Sequence, residues 1–207
     1  MLQTAPLPSN VHLSVDSNGN PVHDLSFTSE SIGMSVKNKC GWPRFGYGDT
    51  MGLDGQYTIR CKLGWGMHSS TWLAFDSLTS SSVAIKAPTG YMTEADKNDK
   101  TWEQDALWQL NYCDSPHSPH CFYSLNKFTL PGKPAKYFCM VTPLMGEDVR
   151  ALCGQKPEPI ALPIMKHILL HTLRGVAFAH SRGVVHTDIK ANNIFFSNNM
   201  STEDIEH

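Results

Sequence analysis

With 207 residues, 41% of them hydrophobic, the chain has enough apolar material for one domain of ordinary size, which excludes wholesale disorder. A formal net charge of −2 excludes the strongly basic footprint of a nucleic-acid binder. No apolar run approaches the ~18–20 residues of a membrane span and no secretory leader pattern opens the chain, so no direct nucleic-acid or membrane partner is expected, and a cytoplasmic or nuclear location is. The cysteines (Cys40, Cys61, Cys113, Cys121, Cys139 and Cys153) are scattered without a secreted-domain framework, which predicts reduced thiols.

Residues 1–47 are rich in Ser, Asn, Gly and Pro and hold no sustained period of 2 or 3.6, so they read as a flexible N-terminal segment. Within them Val11, Leu13 and Val15 alternate as one stray strand, and Asn18-Gly19-Asn20-Pro21 is turn chemistry. Order is expected from about Gly48-Asp49. Gln56 to Leu63 alternates β-prone residues and predicts a strand. It runs into Leu63-Gly64-Trp65-Gly66-Met67-His68-Ser69-Ser70-Thr71-Trp72-Leu73. A strand, a Gly turn and a second strand can set backbone N–H groups around phosphate oxygens, because glycines let the main chain come close. The competing interpretation is a plain β-hairpin. About twenty residues on, Val83-Ala84-Ile85-Lys86 ends an apolar strand on a lysine, which suits the pairing of phosphates; an ordinary edge lysine is the alternative.

Thr93 to Leu110 predicts one helix with Trp102, Ala106, Leu107 and Leu110 on its apolar face. Glu103 lies near that face, with Glu94 and Asp105 as rival acidic partners for Lys86. Cys113, His117, His120 and Cys121 follow within nine positions. They could ligate zinc, but the cluster is compressed and broken by Pro116 and Pro119, so a polar loop is the plainer interpretation. Phe122 to Leu130 and Lys136 to Thr142 predict two strands joined at Pro131-Gly132-Lys133-Pro134. Asp148 to Cys153 begins a short helix, and Leu162 to His180 is a long one stopped by Ser181-Arg182-Gly183.

After Val184-Val185 comes His186-Thr187-Asp188-Ile189-Lys190-Ala191-Asn192-Asn193, which reads His-x-Asp-x-Lys-x-x-Asn. The Asp can accept a proton from an attacking hydroxyl, the Lys can neutralise phosphate charge, and the Asn oxygen can hold a magnesium ion. Phosphoryl transfer needs little beyond such positioning and neutralisation.

Gly turn, Val-Ala-Ile-Lys strand, helix Glu and His-x-Asp loop, in that order, resemble a eukaryotic protein kinase. The wording Leu-Gly-Trp-Gly, Ser-x-Trp-Leu-Ala and His-Thr-Asp-Ile-Lys is similar to the SR-protein kinase branch, which phosphorylates Ser/Arg-rich splicing factors. The resemblance covers residues ~48 to 207. It implies an α+β fold, with a small lobe of antiparallel strands and one helix over 48–142, then a hinge and the start of a helical large lobe over 143–207. It also implies ATP and Mg2+ as cofactors and an Arg/Ser-rich protein as substrate.

Carried over by motif, Asp188 is the catalytic base and Lys190 stabilises the phosphoryl group in flight. Asn193 is the metal ligand. Leu63, Gly64, Trp65, Gly66, Ser69 and Thr71 surround ATP, Lys86 holds its phosphates and Glu103 positions Lys86. Thr142 guards the back of the adenine pocket, with Pro143 to Met145 as the hinge. Thr187 departs from the Arg usual in kinases, Ser69 from the third Gly, and Pro143 from a common Glu. No Asp-Phe-Gly follows Asn193. The expectation is therefore a truncated, catalytically impaired form, ending where SR-protein kinases carry a spacer and leaving the Leu162–His180 helix with an uncovered apolar face. The alternative is a kinase-derived scaffold that works by binding.

Overall fold

The computed structural model describes residues 13–15, 21–23, 41–43, 45–66, 68–98, 100–111, 120–130, 136–154 and 159–197. Strand β1 (Leu13–Val15) pairs antiparallel with β2 (Pro21–His23), Leu13 opposite His23 and Val15 opposite Pro21. The expected stray strand thus has a partner, which begins at Pro21.

Six strands make the main sheet: β3 (Thr50–Met51), β4 (Tyr57–Trp65), β5 (Ser69–Asp76), β6 (Ser81–Pro88), β7 (Asn126–Leu130) and β8 (Tyr137–Pro143). Their spatial order is β3-β4-β5-β6-β8-β7, all neighbours antiparallel. Alternation along the strands sends Tyr57, Ile59, Trp72, Ala74, Val83, Ile85, Ala87, Cys139 and Val141 to one buried face. The Cys139 thiol, sealed in that core, is pushed up to about 12 by burial.

Residues upstream of Gly48 complete this core. Trp42 is 2% exposed and its Nε1 donates to the Gly66 carbonyl at 3.3 Å. Phe45 packs edge-on against Trp72, ring centroids 5.3 Å apart. Packing therefore begins before the Gly48-Asp49 start expected from composition, because two aromatic side chains suffice to dock a segment whose backbone pattern is irregular.

The helix expected over 93–110 is two helices, α1 (Gly90–Lys97) and α2 (Glu103–Asn111). Thr89 caps α1, its hydroxyl accepting from Met92 N, so the helix starts before Thr93. At its other end the Asn98 side chain donates to the Glu94 carbonyl, and the N–H groups of Asn98 and Lys100 both turn back to the Ala95 carbonyl. A side chain that bonds the preceding turn competes with helix continuation, and the chain breaks there. Residues 122–125 likewise stay outside β7, which begins only at Asn126.

Strand β9 (Met145–Asp148) follows, then α3 (Val149–Gly154), capped by Asp148 Oδ1 accepting from Ala151 N at 2.7 Å. Helix α4 (Leu162–Ser181) has Pro163 in its first turn. It ends in a Schellman arrangement: Gly183 has φ +74°, Gly183 N donates to His180 O at 3.0 Å and Val184 N to Ala179 O at 2.9 Å. Leu162, Leu169, Leu170 and Leu173 leave an exposed apolar face on α4, and Ile164 is exposed near its start. No described helix is long and apolar enough to cross a membrane. Strand β10 (Phe195–Ser197) pairs antiparallel with β9, a pairing the sequence pattern did not suggest.

Candidate active site

The glycine turn closes the β4–β5 hairpin. Gly66 N donates to Ser69 O at 2.8 Å, and Trp65 lies opposite Ser70. Strand β4 carries an extra residue at Leu63, between the pairs Lys62–Trp72 and Gly64–Thr71. Such a bulge re-aims the residues beyond it. Its result is a lateral row across four strands: Gly64 opposite Thr71, Thr71 opposite Lys86, and Lys86 opposite Met140. Directly paired residues of an antiparallel ladder share a face. Lys86 stands between Ile85 and Ala87 of the buried core, so its own face is the opposite one. A Cβ built on Gly64 or Gly66 would meet no protein atom within 4 Å, and neither residue has a positive φ. The fold itself does not require glycine at either place, and the room left free suits a ligand brought close to the backbone.

Lys86 Nζ forms an ion pair with Glu103 Oε1, rather than with Glu94 or Asp105 among the described residues. Both side chains are partly exposed, and both line a cleft of about 140 Å³ with His68 and Ser69 of the hairpin turn. Thr142 faces the same side of the sheet, paired with Ala84, and is 2% exposed; its hydroxyl donates to Ala84 O at 3.3 Å. Leu63 and Trp65 are exposed on the turn's flank.

The second cluster sits beyond α4. Thr187 has φ +61°, a left-handed conformation that costs a β-branched residue of order 1–2 kcal/mol and marks a site where geometry outranks local comfort. Asp188 N closes the turn onto His186 O at 2.8 Å and His186 Nδ1 at 3.3 Å. Lys190 Nζ lies 2.8 Å from Asp188 Oδ2. Asn193 Nδ2 donates to Asp188 O at 2.9 Å and to Oδ2 at 3.0 Å. The Lys190 hydrogen bond is the main cause holding the Asp188 carboxyl below its ordinary range, with help from Asn193 and the nearby His186. Asp188 is fully exposed, so this arrangement fixes geometry and charge rather than stability. With both Asn193 amide hydrogens turned to Asp188, its Oδ1 makes no hydrogen bond among the described residues. It remains available as a hard oxygen ligand, which is the donor type that magnesium takes. The described residues thus offer one ligand of the kind Mg2+ takes.

Strand pairing ties the clusters together. Phe195, two residues after Asn193, lies opposite Asp148, six residues after Thr142. A Cβ at Gly146 would touch Phe196 O at 3.4 Å, so the two strands run in close contact.

Two further residues position the site and carry no local sequence signal. Asn111 at the end of α2 exchanges hydrogen bonds with Ser124 (N–H to Oδ1 2.8 Å; Nδ2 to carbonyl 2.6 Å). Gly175 of α4 lets the chain at His120 pass close by. In the possible zinc loop, Cys121 Sγ donates to Gly175 O at 3.1 Å and His120 stacks on His171 at 4.5 Å. Cys113 and His117 lie outside the described residues. Among the described residues no group of three or more His, Cys, Asp or Glu is placed to hold a metal.

A lysine–glutamate pair under a glycine hairpin and an Asp-Lys-Asn loop are thus linked through the pairing of β9 with β10. The family model for the protein kinase domain matches residues 57–204, and the chain belongs to that family. It is similar to the serine/threonine-protein kinase SKY1 of Saccharomyces cerevisiae, 32% identical over 163 residues that span 74% of this chain and 21% of that protein. Protein kinase dsk1 of Schizosaccharomyces pombe is 29% identical over 67% of this chain and 26% of its own length. SRSF protein kinase 3 of Mus musculus is 26% identical over 69% of this chain and 26% of its own. The chain thus spans about a fifth to a quarter of the length of these relatives. A kinase-domain crystal structure matches with a TM-score of 0.64 over 76% of this chain and 44% of that one, at 16% identity, a likeness of fold alone.

Proposed function

We propose that the protein transfers the γ-phosphoryl group of ATP to serine or threonine hydroxyls of a protein substrate. The observation that carries this is the row Gly64–Thr71–Lys86 with Glu103 paired to Lys86, together with the pairing of β9 to β10, the strand that follows the Asp188–Lys190–Asn193 segment. Lys86, held extended by Glu103, offers a fixed positive charge to the phosphates beneath the hairpin turn. The Thr142 hydroxyl is bonded to the Ala84 carbonyl, consistent with its proposed place as a small residue behind the adenine.

Asp188, kept ionised by Lys190, takes the proton of the attacking hydroxyl at its carboxylate. Lys190 faces the negative charge of the phosphoryl group in flight. Asn193 Oδ1 is the group that would hold Mg2+, which, when bound, offsets the negative charge of the phosphates. Similarity to an SRSF protein kinase supports Arg/Ser-rich proteins as the substrate class.

The test is nucleotide titration of the full-length protein with and without Mg2+, in wild type and Lys86→Met, followed by transfer assays on an Arg/Ser repeat peptide and an acidic serine peptide. Metal-dependent ATP binding lost in Lys86→Met, with transfer to the Arg/Ser peptide, is expected. Tight ATP binding indifferent to Mg2+ and without transfer would favour a scaffold and contradict the proposal.

A further inference from the structure

We propose that Asp96 is a positioning residue: it fastens the start of α2 to α1 and so sets Glu103 against Lys86. The proposal rests on the kinase function argued above. Helix α2 has no buried residue, so apolar packing does little to fix it. Its far end is held by Asn111 on Ser124 and by Arg182 Nε donating to Gln109 O at 3.1 Å. Its near end, where Glu103 stands, is held by Lys86 itself and by Asp96. Asp96 Oδ1 accepts from the Thr101 hydroxyl at 2.6 Å, and Oδ2 accepts from Gln104 Nε2. Thr101 and Gln104 bracket Glu103 in sequence, and all of these residues line the cleft that contains Lys86. That cleft leaves room behind the pair, so the ion pair by itself does not determine where α2 sits.

Helix α1 is a fixed anchor for such a latch. Its buried Thr93 hydroxyl accepts from Phe138 N of β8 at 3.1 Å. Its cap Thr89 donates through N–H to His68 O in the glycine turn at 2.9 Å, and Gly90 N donates to Gly41 O at 3.1 Å. One helix therefore touches the glycine turn through its cap residue and the glutamate-bearing helix near its last residue. A shift of Asp96 would reach Glu103 through Thr101 and Gln104, while the glycine turn would keep its own bond at the opposite end of α1.

The experiment uses the full-length protein with Asp96→Ala, Glu103→Gln, their combination, and Asp96→Asn with Gln104→Glu. The last pair reverses donor and acceptor: an amide nitrogen at position 96 donates to a carboxylate at 104, while its oxygen still accepts from Thr101. Two readouts are taken, amide hydrogen exchange over residues 103–107 and kcat/KM for phosphate transfer. Loss of two hydrogen bonds predicts about tenfold faster exchange in Asp96→Ala, returning to the wild-type rate in the reversed pair. Asp96→Ala should lower kcat/KM about tenfold alone but by less than about twofold on top of Glu103→Gln, because both act through one contact. Unchanged exchange in Asp96→Ala, or costs that multiply in the combination, would overturn the proposal. A wild-type protein without transfer would instead overturn the kinase function, and the exchange rates would still decide the latch.

Discussion

Gly175→Ala separates a close backbone contact from ordinary helix preference. In an exposed helix interior the change gains about 1 kcal/mol, because alanine loses less backbone freedom on folding. At Gly175 the added Cβ would sit 2.5 Å from His120 O and 3.2 Å from His120 C. The nearest atom is backbone, so a rotamer change cannot relieve the clash, and the crossing segment must retreat by at least about 0.5 Å to reach the closest spacing real Cβ atoms show. Overpacking of this kind costs roughly 1–3 kcal/mol, and retreat of the neighbouring Cys121 thiol from Gly175 O forfeits about 0.5–1 kcal/mol more. The net expectation is destabilisation of about 0.5–3 kcal/mol, centred near 2. Gly154 at the end of α3 is the control, since a Cβ there meets nothing within 4 Å. Urea unfolding of the full-length protein, analysed by midpoint at constant slope, should show Gly154→Ala neutral or slightly stabilised and Gly175→Ala clearly destabilised. If Gly175→Ala were as stable as Gly154→Ala, the close crossing at His120 would be wrong. The crossing also matters to the site, because the segment it places carries Ser124, which holds the end of α2 through Asn111.

Lys190→Ala removes the main influence that holds the Asp188 carboxyl low, so that carboxyl titrates nearer the ordinary carboxylate range. A base must be ionised, so the acid limb of the pH–rate profile should move to higher pH, while unfolding stability should hardly change at this fully exposed pair. An acid limb that stays in place would show that Asp188 does not set it. Trp42→Ala should cost about 3–5 kcal/mol by loss of a buried indole. A thermal-unfolding cost below about 1 kcal/mol would detach residues 41–47 from the small lobe.

Much of this architecture is written in local pattern. Helix α4 ends where Gly183 permits a left-handed turn, and the His-x-Asp loop follows in the expected order. Glu103 lies near the apolar face expected of its helix, and the structure pairs it with Lys86. What stayed hidden depends on partners far away in sequence. Trp42 looks like part of a loose segment until Gly66 and the sheet are placed beside it. The bulge at Leu63 cannot be read from β4 alone, since it exists only relative to the register of β5. Gly175 sits in a helical pattern as a mild defect, and its reason is the carbonyl of His120. The break between α1 and α2 did have a local sign: the polar run Lys97-Asn98-Asp99-Lys100, after a Thr89 cap, outweighs the apolar spacing that suggested one continuous helix.

The measurement closest to the central claim is transfer from ATP by Asp188→Asn in the full-length protein, read together with ATP affinity. Removing the base while leaving Lys86 and the glycine turn untouched predicts a loss of about 10²–10⁴-fold in transfer rate, with the dissociation constant for ATP changed by less than about twofold. Transfer that survives at the wild-type rate would contradict the assignment of Asp188 and, with it, the proposed chemistry of the site.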